Sequence, residues 1–312
     1  MHRPWLGYSL SSLWSLQSFK CGFSRLIIRE RGRLVNFLRL RTNITRTILY
    51  VILLALAISM LLPFAWMLLS SFKAEDEVFT YDMNWLPSRI EFSGYYRALT
   101  LQPFLMYGMN SIVVSAIVTT VQVATATLAG YAFARLDFPG RNVIFLIYLS
   151  AMMIPVQATI IPAFILINRM GFLDSYQGLT LPFLATPFGA FLMRQFFLSM
   201  PKSLEEAAII DGCSRFGVLL KVVLPLSKPA LATLGLFTFM GVWNDFMWPM
   251  IITTTAEMRT LQVGLALMRT DLYPDWPMMM AASVMATLPV ILAFLSAQKQ
   301  FIQSLAFTGV KY

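Results

Sequence analysis

Histidine is almost missing from this 312-residue chain: there is one, His2, at the extreme N-terminus. A histidine-built metal site or proton relay is therefore excluded. Cysteine is nearly as scarce. Cys21 and Cys213 both fall on the side read below as cytoplasmic, where a structural disulfide does not persist. Charged residues make up 12%, against about 25% in a soluble domain. No paired carboxylates, nucleophile–base set or metal-ligand cluster marks a membrane enzyme. A phosphate-binding loop is missing too. Gly212 and Gly217 have the right separation, but Val218 and Leu219 follow where Lys and Ser or Thr are required. If nucleotide drives this protein, another chain binds it, and no cofactor is expected on this one.

What the chain has instead is apolar length. It is 58% hydrophobic, with a mean hydropathy of +0.68. Apolar runs of 18 or more residues recur, which defines a polytopic helical membrane protein. The weak ten-residue alternation of membrane β-barrels is absent. Six spans are predicted, at roughly 48–72, 108–134, 142–168, 179–199, 230–252 and 279–300, each long enough to cross ~30 Å of hydrocarbon. Prolines 63, 155, 162, 182, 187 and 289 are expected to kink several of them, with neighbouring helices satisfying the freed carbonyls.

Charge orients the spans. With the N-terminus inside, the inner segments hold eighteen of the 24 Lys and Arg, and the outer ones only Lys73, Arg89, Arg97, Arg169, Arg259 and Arg269. The positive-inside rule then places both termini in the cytoplasm. The net +9 follows from this topology and anionic inner-leaflet lipid, with no nucleic acid required. Residues 1–46 read as a basic cytoplasmic tail with seven arginines between Arg25 and Arg46. An amphipathic helix on the leaflet, a disordered anchor and a start placed too far upstream all fit it. It does not read as a cleaved signal peptide. Residues 47–312 read as one six-helix domain.

One polar stretch interrupts the apolar spans: Ser203–Pro225, SLEEAAIIDGCSRFGVLLKVVLP. It opens with the pattern of a capping box, Ser203 with Glu206. Leu204, Ala207, Ala208 and Asp211 follow on one helical face, and Gly212 stands where a helix needs a left-handed stop. A short helix of small residues on the cytoplasmic side looks built to dock into something.

Glu206-Ala207-Ala208, then Asp211-Gly212, nine residues, and Val222-Val223-Leu224-Pro225 resembles the EAA motif of ABC-importer permeases, EAA-x2-DG-x9-I-x-LP. Val222 replaces the isoleucine, and Cys213 stands where a small residue is usual. Gly130-Tyr131-Ala132-Phe133-Ala134-Arg135 with Phe138-Pro139-Gly140-Arg141 resembles the carbohydrate branch of that family, the maltose-permease-like subunits. So do Gly171-Phe172-Leu173-Asp174-Ser175 and Trp243-Asn244-Asp245-Phe246-Met247-Trp248-Pro249. The resemblance covers roughly residues 48–312. It implies a type I ABC-importer permease fold working with a homologous sister permease, an ABC ATPase dimer carrying ATP and Mg, and an extracytoplasmic solute-binding protein. The segment 203–225 is then a coupling loop seated in the ATPase, with Glu205, Glu206, Ala207, Ala208, Asp211, Gly212 and Pro225 as its coupling residues. ATP closure of the ATPase dimer would rock the spans between inward and outward states.

Asp245 is the one acid inside a predicted span, and such groups usually face a bundle interior or a water-filled path. Trp243, Asn244, Asp245 and Trp248 suit a sugar path, polar groups meeting hydroxyls and aromatic faces meeting CH surfaces. An inter-subunit hydrogen bond or a helix break before Pro249 fits equally. Gln157, between Pro155 and Pro162, is a further path candidate. Thr119, Thr120, Gln122, Thr125 and Thr127 read first as helix-packing residues and second as a substrate path, and the methionines as soft core filler. In similar permeases the last outer loop reaches the binding protein, which makes Glu257, Arg259, Arg269 and Asp271 docking candidates. Glycerol-3-phosphate or polyol import is the alternative within the family. An ion-coupled secondary transporter is the competing class, but no convincing internal repeat is visible.

Overall fold

The computed structural model describes residues 45–78, 84–269 and 274–309. The basic N-terminal tail up to residue 44, and Asp271, lie outside the described residues. The chain divides into two compact units, Met1–Ala65 and Trp66–Tyr312. Most of helix α1 (Thr45–Ser70) belongs to the first. Its apolar side chains from Ile48 to Phe64 are exposed. That is the surface of a helix meant to lie among hydrocarbon.

The second unit is helical, with no strand among the described residues. A short helix α2 (Ser93–Thr100) precedes the 32-residue α3 (Phe104–Arg135). Next come α4 (Arg141–Ser150), α5 (Val156–Arg169), α6 (Tyr176–Thr180) and α7 (Pro187–Ser199). The polar segment forms α8 (Ser203–Ile210), α9 (Arg215–Val218) and α10 (Leu224–Leu226). It leads into α11 (Lys228–Trp243), α12 (Met247–Ile252), α13 (Leu261–Leu267) and α14 (Trp276–Gly309).

Three helices, α1, α3 and α14, are long and apolar enough to cross a membrane unaided, and three bent pairs raise the number to as many as six. The pairs bend by 98° between Met153 and Val156, 45° between Phe183 and Pro187, and 78° at Ser227. Pro155, Pro182 and Pro187 fall at two of these breaks, as expected from a residue that lacks an N–H and crowds the preceding turn. Pro162 and Pro289 sit inside helices that continue through them. The predicted span 230–252 is not continuous. It breaks between α11 and α12 at Asn244–Phe246.

α3 is the spine of this unit. It packs along α7 and α11, α11 packs on α14, and α14 on α2. The α3–α7 crossing is close because glycines line it. A Cβ built on Gly130 would stand 2.7 Å from Met193 Cβ, and one on Gly189 would stand 2.8 Å from Ala126 Cβ. Small residues at membrane helix contacts let backbones approach and recover dispersion energy that lipid does not supply. Trp243 fixes α11 to α14 by donating its indole N–H to the Ala286 carbonyl at 3.0 Å. Two segments predicted as outer loops contain buried helices. Ala98 of α2 and Leu261, Val263 and Gly264 of α13 are buried, and Gly264 lies against the Tyr107 ring of α3.

Candidate functional site

The polar segment is a helix–turn–helix whose first helix is stopped as the sequence predicts. Gly212 has φ +85°. Its N–H bonds the Ile209 carbonyl at 3.0 Å, and the Cys213 N–H bonds the Ala208 carbonyl at 2.9 Å. That pair of bonds is the Schellman stop, which satisfies carbonyls the helix end would orphan. The start differs from prediction. Lys202 is the N-cap, its carbonyl accepting from Glu205 and Glu206 at 3.0 Å each, and no side chain caps the helix. Ser203 is already inside the first turn, so the Ser203–Glu206 capping box does not form. Downstream, Ser214 caps α9 by accepting from the Gly217 N–H at 3.1 Å. A π turn over Leu219–Val223 precedes Pro225. Pro225 has no N–H to return to the Lys221 carbonyl and its ring crowds it, a conflict a wider turn relieves.

The predicted single face of α8 is split. Ala208 is buried against Tyr131, Phe197, Val218 and Val223, whereas Leu204, Glu206, Ala207, Asp211 and Gly212 are exposed. Ile210 is 85% exposed. Pro225 is exposed as well. Glu205 points inward. Its carboxylate lies 2.5 Å from Arg135 Nε, with side chains only 12% and 5% exposed. The approach is an ion pair rather than an aligned hydrogen bond. The Tyr131 hydroxyl donates to Glu205 at 3.4 Å, and Arg135 donates to the Met200 carbonyl at 2.8 Å.

A cavity of about 690 Å³ opens among α3, α5, α7, α11 and α12. Gln122, Thr159, Thr186, Thr238 and Asp245 line it with polar groups, and Phe183, Phe188, Phe237 and Trp248 with aromatic faces. Its volume is in the range of small-molecule sites, roughly 300–1,000 Å³. Asp245 accepts from the N–H groups of Met247 at 3.1 Å and Trp248 at 3.5 Å, where the chain re-enters a helix. Of the predicted path residues, Asp245 and Trp248 reach the cavity. Trp248 is also fastened to the Gly178 carbonyl at 3.0 Å. Trp243 is 2% exposed in the helix core. Asn244 is exposed and bonds back to the Met240 carbonyl, and Gln157 is exposed away from the cavity lining. Sequence reasoning missed Thr159, Thr186 and Thr238, and favoured packing over a substrate path for Gln122. Their one signal was a polar side chain inside a predicted span.

At the opposite end from Gly212 the loops are tied together. Asp174, with φ +51°, accepts from the N–H groups of Thr254 at 2.9 Å and Thr255 at 3.1 Å and from the Thr255 hydroxyl at 2.6 Å. Burial alone pushes its carboxyl upward. The Thr255 and Thr254 bonds, with Arg259, outweigh burial and hold it below the usual carboxylate range. Buried Asn110 of α3 donates to the carbonyls of Glu257 at 2.7 Å and Arg259 at 2.9 Å, and accepts from the Tyr176 hydroxyl at 2.6 Å. The backbone at the docking candidates Glu257 and Arg259 is thus held from the helix core. Glu257 and Arg269 are exposed and Arg259 half-buried.

Comparison with known proteins agrees with this architecture. The family of binding-protein-dependent transport system inner membrane components matches residues 123–305. The arabinooligosaccharides transport system permease protein AraQ of Bacillus subtilis strain 168 is 33% identical over 279 residues, covering 86% of this chain and 97% of that protein. The trehalose/maltose transport system permease protein MalG of Thermococcus litoralis is 35% identical over 280 residues, covering 87% and 99%. A crystal structure of a bacterial ABC transporter involved in the import of the acidic polysaccharide alginate superposes with a TM-score of 0.73 at 29% identity, covering 83% of this chain and 97% of that one. This chain therefore belongs to the family of binding-protein-dependent transport system inner membrane components, as a multi-pass ABC permease subunit. The resemblance carried by the EAA, Gly130–Arg135 and Trp243–Pro249 motifs is borne out.

Proposed function

We propose that this chain is one permease half of an ATP-driven importer for a neutral sugar or oligosaccharide. A homologous sister permease completes the path, one copy of an ATPase dimer engages the α8 segment, and a solute-binding protein docks on the far side over Glu257, Arg259 and Arg269, with Asp271 in the same loop. Both termini lie in the cytoplasm. Residues 1–46 form a basic tail ahead of the permease domain 47–312. The observation that carries the reading is α8 itself. Ala208 and Glu205 anchor it from within, while Leu204, Ala207 and Ile210 stand exposed beside a Schellman stop. An apolar face held rigidly in the open is what a docking element needs. The family membership and the AraQ and MalG likenesses support a carbohydrate. So does a cavity with hydroxyl and amide groups beside aromatic faces and no Lys or Arg in its lining.

Purification of the tagged chain from its native membrane under gentle detergent tests the assembly. It should bring down an ATPase and a second six-span permease. Recovery alone, or as a homodimer, would overturn the reading and favour an ion-coupled carrier. The binding protein recovered beside it then identifies the substrate. A phosphorylated polyol on that protein would replace the sugar with the alternative cargo.

The substrate path has its own test. Asp245→Ala should lower uptake per assembled complex roughly tenfold, the scale of one or two lost hydrogen bonds to a bound hydroxyl. Asp245→Asn keeps an oxygen to cap α12 and should retain more. Unchanged uptake by Asp245→Ala would remove this carboxylate from the path.

A further inference from the structure

Arg135 belongs neither to the exposed face of α8 nor to the cavity, yet its side chain is only 5% exposed. It sits in the last turn of α3, one turn beyond Tyr131, so both side chains leave α3 on the same face. From there it reaches two other segments. Its Nη2 donates to the carbonyl of Met200, the C-cap residue of α7, and its Nε meets the carboxylate of Glu205 in the first turn of α8. Tyr131 bonds the other oxygen of the same carboxylate. A cation at the C-terminus of one helix and an anion at the N-terminus of another each complement the local helix dipole. The pair is nearly dry, so removing either partner would leave the other as an uncompensated buried charge.

We propose that Arg135 and Glu205 are positioning residues: a buried ion-pair strut, braced by Tyr131, that locks α8 to the ends of α3 and α7 so that displacement of α8 moves those helices instead of being absorbed by a swivel of α8. The proposal rests on the reading of α8 as the element engaged by the ATPase. Packing alone does not supply the lock. Ala208, the buried apolar side chain of α8, is small and non-directional, and leaves rotation about the helix axis open. The strut fixes that rotation, because Glu205 Oε1 and Oε2 are each held by a different α3 side chain and Met200 O by the same Arg135. It also gives Glu205 a role different from that of Glu206 beside it, which is exposed.

The test uses the full complex, with sister permease, ATPase and binding protein, in proteoliposomes, and reads transport per ATP hydrolysed. A lone buried charge threatens folding, so the main variant removes both: Arg135→Met with Glu205→Leu, which keeps volume and leaves no unpaired ion. This pair, and Arg135→Lys more mildly, should assemble with the ATPase and lower transport per ATP about tenfold, within the span typical of coupling between sites. A wild-type ratio in the Met/Leu variant would overturn the strut. Loss of ATPase co-purification from Glu205→Gln but not from Arg135→Met would overturn it too, by making Glu205 a contact with the partner. If the wild-type chain itself brings down no ATPase, the reading of α8 has failed rather than the strut.

Discussion

Gly212→Asp is expected to abolish uptake while leaving the chain folded in its membrane. Both halves of that result follow from one position. A Cβ added at Gly212 meets nothing within 4 Å, so the side chain would project into open space. The backbone cost is modest. At φ +85° a β-carbon is disfavoured, but Asp tolerates the left-handed region better than most residues, and the strain is about 1–2 kcal/mol. A new carboxylate beside Asp211, at the negative end of the α8 dipole, adds a few tenths to ~1 kcal/mol more. An assembled membrane domain survives penalties of that size. A docking surface does not survive a charge placed against it, where desolvation without a partner costs several kcal/mol. Uptake and membrane content of Gly212→Asp, Gly212→Asn and Gly212→Ala should therefore separate. Content should stay near wild type in all three, and uptake should fall in the order Ala, Asn, Asp. Normal uptake by the Asp variant would sink the docking role of this turn.

The features legible in the sequence were those set by local backbone chemistry. Gly212 ends α8 because no other residue accepts that φ so cheaply, and Pro155, Pro182 and Pro187 fall where the chain breaks. Features set by tertiary partners were not legible. Ser203-x-x-Glu206 has the spacing of a capping box, but the chain enters helix one residue earlier, at Lys202, and Glu206 stays exposed. Composition made 230–252 look like one span, and the break at Asn244–Phe246 is stabilised by Asp245 bonding two N–H groups of α12. The same residue was singled out as an acid that a hydrocarbon span could not carry unexplained, and it lines the cavity. Its motif partner Trp243 was grouped with it by adjacency, yet Trp243 closes α11 against Ala286 while Asp245, in the break beyond it, lines the cavity. The pairing of Arg135 with Glu205 joins residues 70 apart, and no spacing rule reaches across that distance.

Gly130→Ala is expected to destabilise the permease domain strongly, although it adds a single methyl group to the interior of a long helix. Taken alone, helix propensity predicts the opposite, a gain of ~1 kcal/mol for Ala over Gly. The α3–α7 crossing reverses the sign. The new Cβ would lie 2.7 Å from Met193 Cβ, 2.9 Å from the Arg194 backbone N and 3.1 Å from the Met193 carbonyl carbon. Two of those atoms are backbone, which no rotamer change can move, and Met193 is completely buried. Relief requires the two helices to part, and parting would loosen Phe197 and Tyr131, whose rings meet edge to face at 5.9 Å across the same contact. Overpacking of this kind costs about 1–3 kcal/mol, and more when backbone must yield. In thermal unfolding of the detergent-solubilised chain, Gly130→Ala should lower the midpoint by roughly 5–10 °C, taking 2–4 °C per kcal/mol for a domain of this size. Gly108→Ala is the matched control on the same helix, because its Cβ meets nothing within 4 Å. It should leave the midpoint unchanged or slightly raised. If the two alanine variants unfold together, the α3–α7 backbones are not in contact at Gly130, and the position of α7, which carries the Met200 carbonyl that Arg135 grips, is not the one described.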